Sequence, residues 1–95
     1  MTFIEFQQSL DSPHPPEEIR EELKALWFDA RGDWDTAHLI VQALNTPEAA
    51  WVHAYLHRKE GDLTNAAYWY RRAGKPQAGG EFPQEWEEIV KALLD

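Results

Sequence analysis

Three histidines are spaced so that they could act together. His53 and His57 are four residues apart, so on a helix they lie on one face, about a turn apart. His38 lies on the preceding predicted helix, which we expect to pack beside the helix that carries the pair. Three converging imidazoles would suit zinc or another borderline divalent metal. Two other interpretations stay open: the rings could act as acid–base catalysts, or they could be structural groups that hydrogen-bond between helices.

A second feature is the run Tyr68-Trp69-Tyr70-Arg71-Arg72, which combines aromatic and basic side chains. Aromatic rings and arginines together can bind single-stranded nucleic acid, but the chain has a net charge of −8, which argues against that partner. Two alternatives remain. The acidic first and last helices could neutralise the run within the chain, or the run could bind an acidic protein or peptide.

The elements that position these residues are predicted to be helices. Glycine-aspartate pairs at 32–33 and 61–62 each indicate the end of one helix and the N-cap of the next. Thr46 followed by Pro47 is a further helix start, and Pro16 suits the first helical position after an extended segment at 11–16. No stretch alternates with period two, so no sheet is expected. The predicted helices cover about 2–10, 16–31, 34–44, 47–60, 63–73 and from 83 onward.

The chain contains an internal repeat with an offset of 29 residues. Ala25 aligns with Ala54, the two glycine-aspartate turns align with each other, and Ala37 aligns with Ala66. With Tyr70 and Ala73, this pattern resembles the tetratricopeptide repeat, although the usual repeat is longer and more copies are usual. The resemblance implies two stacked helical hairpins. The run from Trp51 to Gly74 also resembles segments of small bacterial proteins, which implies a bacterial origin.

The resemblance also implies a concave groove on one face of the third long helix. Trp51, Tyr55 and Arg58 follow one another at i, i+4 and i+7, with Lys59 alongside, and these positions would line the groove where peptides bind. Aromatic and arginine side chains are the usual energetic anchors of interfaces. The alternative is that the N-terminal segment or the last helix covers this face and gives Trp51 and Tyr55 a core role.

Composition limits the possible functions. The chain has 95 residues, so one domain is expected, and it has no cysteine, which excludes disulfides and thiolate sites. No apolar run is long enough to span a membrane, and no phosphate-binding loop or nucleophile elbow is present. We therefore expect a cytoplasmic all-α protein that acts as a protein- or peptide-interaction module rather than an enzyme, without a cofactor. The alternative is a metal-binding or hydrolytic protein that uses His38, His53 and His57.

The single domain, 1–95, comprises an N-terminal segment (1–15), two repeats (16–45 and 46–76) and a C-terminal capping helix (83–95).

Overall fold

The chain folds into helices joined by short connections. The computed structural model describes residues 1–94, and within that range it contains six helices and no strand. The helices are α1 (Phe3–Ser9), α2 (Glu21–Ala30), α3 (Trp34–Gln42), α4 (Pro47–Lys59), α5 (Leu63–Ala73) and α6 (Phe82–Leu93). The all-α prediction is therefore confirmed. None of these helices is both long and apolar enough to cross a bilayer.

Two tight turns join α2 to α3 and α4 to α5 with the same geometry. Gly32 and Gly61 have φ angles of 83° and 86°, a left-handed backbone that glycine adopts without steric cost. The next residue, Asp33 or Asp62, accepts a hydrogen bond through its carboxylate from the backbone N–H three residues later, at 3.1 and 3.2 Å. The two turns, 29 residues apart in the sequence, therefore share one backbone geometry.

Helix α4 is the centre of the packing. Most of its residues are buried, and it contacts α2, α3, α5 and α6. Small residues allow the close approaches: Ala25, Ala37 and Ala54 are fully buried and Ala66 is 2% exposed. The larger side chains around them form one core cluster, in which Trp27, Tyr55, Tyr70 and Ile89 are among the most deeply buried.

Helix α1 packs on α6, and the start of α2 differs from the predicted boundary. Phe3 and Phe6 pack on Trp86 of α6, with centroid distances of 5.9 and 5.8 Å. The prediction that the first long helix begins at Pro16 is wrong, because α2 begins at Glu21. The Trp27 indole N–H donates to the Ser9 carbonyl at 3.3 Å, which ties the end of α1 to α2.

The C-terminal helix begins at Phe82, one residue before the predicted start. It buries Trp86, Ile89, Val90 and Leu93 against the rest of the core. The predicted end of this helix at residue 95 lies outside the described residues.

Candidate metal centre

The three predicted histidines come together between α3 and α4. The ring centroids of His38 and His53 are 4.8 Å apart, those of His53 and His57 are also 4.8 Å apart, and those of His38 and His57 are 5.1 Å apart. Each ring offers one nitrogen such that the three nitrogens lie within 4.8 Å of one another. The i,i+4 spacing on α4 gives two of the rings, and the packing of α3 on α4 supplies the third.

The start of α3 is fixed on α4 by Trp34. Its indole N–H donates to the Leu56 carbonyl at 2.8 Å, and its ring stacks on His38 with a centroid distance of 4.9 Å and an interplanar angle of 8°. On the other side, Trp69 of α5 stacks on His53 at 4.0 Å and 15°. The imidazoles are therefore held between two tryptophans contributed by different helices.

The hydrogen bonds of the cluster define which nitrogens are free to accept. Nε2 of His38 and Nε2 of His53 are 3.1 Å apart and share one hydrogen bond. Nδ1 of His57 lies 2.6 Å from Oε1 of Glu60, and a carboxylate only accepts, so the proton belongs on Nδ1. In the neutral ring with its proton on Nδ1, Nε2 of His57 is the acceptor for the Asn65 amide, whose Nδ2 is 3.4 Å away.

Burial keeps two of these imidazoles neutral. His53 is 4% exposed, and burial, followed by the proximity of His57 and His38, lowers its pKa to about 4. The pKa of His38 is also lowered, first by burial and then by His57. Neutral imidazole is the form that binds a metal ion, so protons do not compete strongly for these nitrogens near neutral pH.

The donor set fits a borderline transition metal. Two nitrogens at 2.0–2.1 Å from a tetrahedral metal lie about 3.3 Å apart, close to the 3.1 Å between the Nε2 atoms of His38 and His53. Within residues 1–94 the cluster has three candidate ligands. No further His, Asp or Glu offers an atom within 4.8 Å of the three imidazole nitrogens. Glu60 and Asp62 form a second group with His57, but both carboxylates are exposed. Asp35, one turn before His38, is also exposed and lies outside the cluster.

The cluster is also satisfied without a ligand. Every buried side-chain nitrogen and oxygen of the described residues has a hydrogen-bond partner. These hydrogen bonds also fit the structural interpretation, in which the imidazoles hydrogen-bond between helices.

The predicted groove is not an open surface in the structure. Trp51 is 8% exposed and Tyr55 is 2% exposed, so both belong to the core. Nη1 of Arg58 donates to Glu85 of α6 at 2.9 Å, and Nζ of Lys59 donates to Asp29 of α2 at 3.0 Å. The expectation of an open concave face is corrected because α6 returns across it.

This closed face contains two buried carboxylates with their partners. Glu85 and Asp29 are each 5% exposed. Glu85 also accepts a hydrogen bond from the Tyr70 hydroxyl, and burial, followed by this bond to Glu85, raises the pKa of Tyr70 above its usual value. The basic residues assigned to a groove therefore hold α4 against its neighbours.

The aromatic–basic run on α5 forms local contacts. Arg72 lies over the rings of Trp69 and Tyr68, at 5.3 and 5.7 Å from the ring centroids, and donates to the Tyr68 hydroxyl at 2.9 Å. Arg71 is exposed. Trp69 itself is half-buried and its partner is His53, so this tryptophan belongs to the histidine cluster.

Sequence reasoning missed three members of the site: Glu60, Asn65 and Trp69. Glu60 had a local signal, since it follows His57 by three residues on the same helix face. Asn65 and Trp69 come from α5, and their approach depends on the packing of the second hairpin. Comparison of the chain with protein-family models, with curated proteins and with solved structures found no match.

Proposed function

We propose that this protein binds a divalent transition metal through His38, His53 and His57. The observation that carries the proposal is the 3.1 Å separation of the His38 and His53 Nε2 atoms, with a third imidazole nitrogen within 4.8 Å of both. A metal ion would take the place of the proton shared by the two Nε2 atoms, and that proton would move to Nδ1 of the ring that carries it, so both ligands would stay neutral. The three ligands come from two helices that are already packed together, so little backbone rearrangement is required.

The surroundings of His57 support a metal ligand. Histidine ligands usually donate their second ring N–H to a carboxylate, which fixes the tautomer and makes the ligating nitrogen more basic. Glu60 occupies that position on Nδ1 of His57. All-imidazole donor sets suit zinc, copper and nickel, whereas magnesium and calcium prefer oxygen ligands.

Binding of a protein or acidic peptide has less support. The four side chains that would anchor such a partner, Trp51, Tyr55, Arg58 and Lys59, already contact α6, α2 or the core. Metal binding is therefore the function that the geometry supports best.

The test is a thermal-unfolding titration of the chelator-treated protein with zinc, nickel and cobalt. A ligand that binds only the native state stabilises it by about 2.7 kcal/mol at one hundred times its Kd, so Tm should rise with the logarithm of free metal. His38→Ala should abolish the shift, and its ring is only half-buried, so the variant should still fold. The matched control is His14→Ala, which removes an exposed histidine and should respond like the parent. The proposal fails if none of the metals raises Tm, or if the two variants respond alike.

A further inference from the structure

The histidine cluster supplies three ligands, and a tetrahedral metal needs a fourth. This inference rests on the proposed metal binding. No other His, Asp or Glu of residues 1–94 joins the three rings, and Glu60 is hydrogen-bonded to the far nitrogen of His57. Sites with three protein ligands keep their fourth position for an exogenous group, whereas structural zinc sites use four protein ligands. A metal ion bound to these three histidines would therefore keep its fourth coordination position free of protein ligands.

Asn65 lies where it could contact that exogenous group. Its Nδ2 is 3.4 Å from Nε2 of His57, the nitrogen whose lone pair a metal would take. A metal ion on that lone pair would take the place of the Asn65 N–H, so the side chain would have to turn aside, and its amide would then need another acceptor close to the metal. The residue sits in the first turn of α5, where its backbone N–H donates to the Asp62 cap at 3.2 Å, and this holds its backbone beside His57.

We propose that the fourth position of the metal takes a small carboxylate anion, and that Asn65 donates a hydrogen bond to it. Three neutral imidazoles leave the full positive charge of the ion uncompensated, so an anion is favoured there. A carboxylate has two oxygens: one bonds the metal and the other accepts from Nδ2 of Asn65. Asn65 is then a positioning residue for the anion and not a metal ligand.

The experiment uses the cobalt(II) form of the full chain with acetate as the probe. Binding of an anion to cobalt changes its visible d–d absorption, so an acetate titration at constant ionic strength and pH reports the fourth position directly. We expect a saturable change in the parent protein. Asn65→Ala should weaken acetate binding roughly tenfold, the factor for about 1.4 kcal/mol, while the affinity for cobalt changes by less than about threefold.

Asn45→Ala is the matched control, because it removes the chain's other asparagine from an exposed position and should bind acetate like the parent. The inference is overturned if acetate leaves the spectrum unchanged, since the fourth position then does not take a carboxylate. It is also overturned if Asn65→Ala binds acetate as the parent does, or loses cobalt and acetate affinity together. Failure to bind cobalt at all would reject the proposed function itself, and the inference with it.

Discussion

The neutral state of His53 should make the stability of the metal-free protein depend on pH in a specific way. In the unfolded chain this histidine has a pKa of 6.5, whereas in the folded protein burial lowers the pKa to about 4. Between these values the unfolded state binds more protons than the folded state, so stability falls as pH decreases from about 6.5 to about 4. One such group contributes a slope of about 1.4 kcal/mol per pH unit, and about 3 kcal/mol over the whole range.

The assay is urea unfolding at a series of pH values in the presence of a chelator. Carboxylates also lose stabilising contacts in acid, so the informative quantity is the difference between the parent and His53→Phe. The phenyl ring keeps the stack on Trp69 and does not titrate. We expect the pH dependence of stability in the variant to be less steep than in the parent by about 1.4 kcal/mol per pH unit between pH 4.5 and 6. Parallel curves for the parent and His53→Phe would show that His53 is not held neutral by the fold.

Three further substitutions test the packing that positions the cluster, each by chemical denaturation. Ala66→Leu should destabilise the protein by roughly 1–3 kcal/mol, because position 66 is 2% exposed and has no room for the larger side chain; unchanged stability would refute the close approach of α4 and α5. Gly61→Ala should cost roughly 1 kcal/mol through its φ of 86° alone, since a Cβ there meets no atom within 4 Å. Glu85→Ala should cost about 3–5 kcal/mol, because it leaves the charge of Arg58 without its buried partner; a loss below about 1 kcal/mol would mean that this pair is solvated.

Local signals predicted most of the helices. As predicted, N-caps are present at Asp33, Thr46 and Asp62. Each short polar side chain accepts a hydrogen bond from a free backbone N–H in the first turn, and this interaction needs no contact with the rest of the fold. The start of α2 was misplaced because residues 16–20 have suitable helix-start chemistry, yet the helix begins at Glu21. Its first turn is held by the Thr46 hydroxyl, which donates to Glu22 from 24 residues away, and no local pattern specifies such a contact.

The difference between local sequence signals and long-range contacts also explains why the histidine cluster was predicted and the open groove was not found. The shared face of His53 and His57 follows from their spacing, and the approach of His38 follows from the hairpin packing that the repeat indicated. The groove was wrong because the charge partner of Arg58 is Glu85, 27 residues later on a helix whose docking position no local pattern specifies. Asn65 was missed for a related reason, since its role appears only when α5 brings it beside His57.

The central claim is that the three imidazoles bind one metal ion, and a crystal structure of the zinc-loaded protein tests it most directly. Data collected on both sides of the zinc absorption edge locate the ion without reference to the protein coordinates. The account predicts one anomalous peak between α3 and α4, about 2.0–2.1 Å from a nitrogen of each of His38, His53 and His57. If zinc is absent from this position, and the Nε2 atoms of His38 and His53 still share a direct hydrogen bond, the cluster is structural and the account is contradicted.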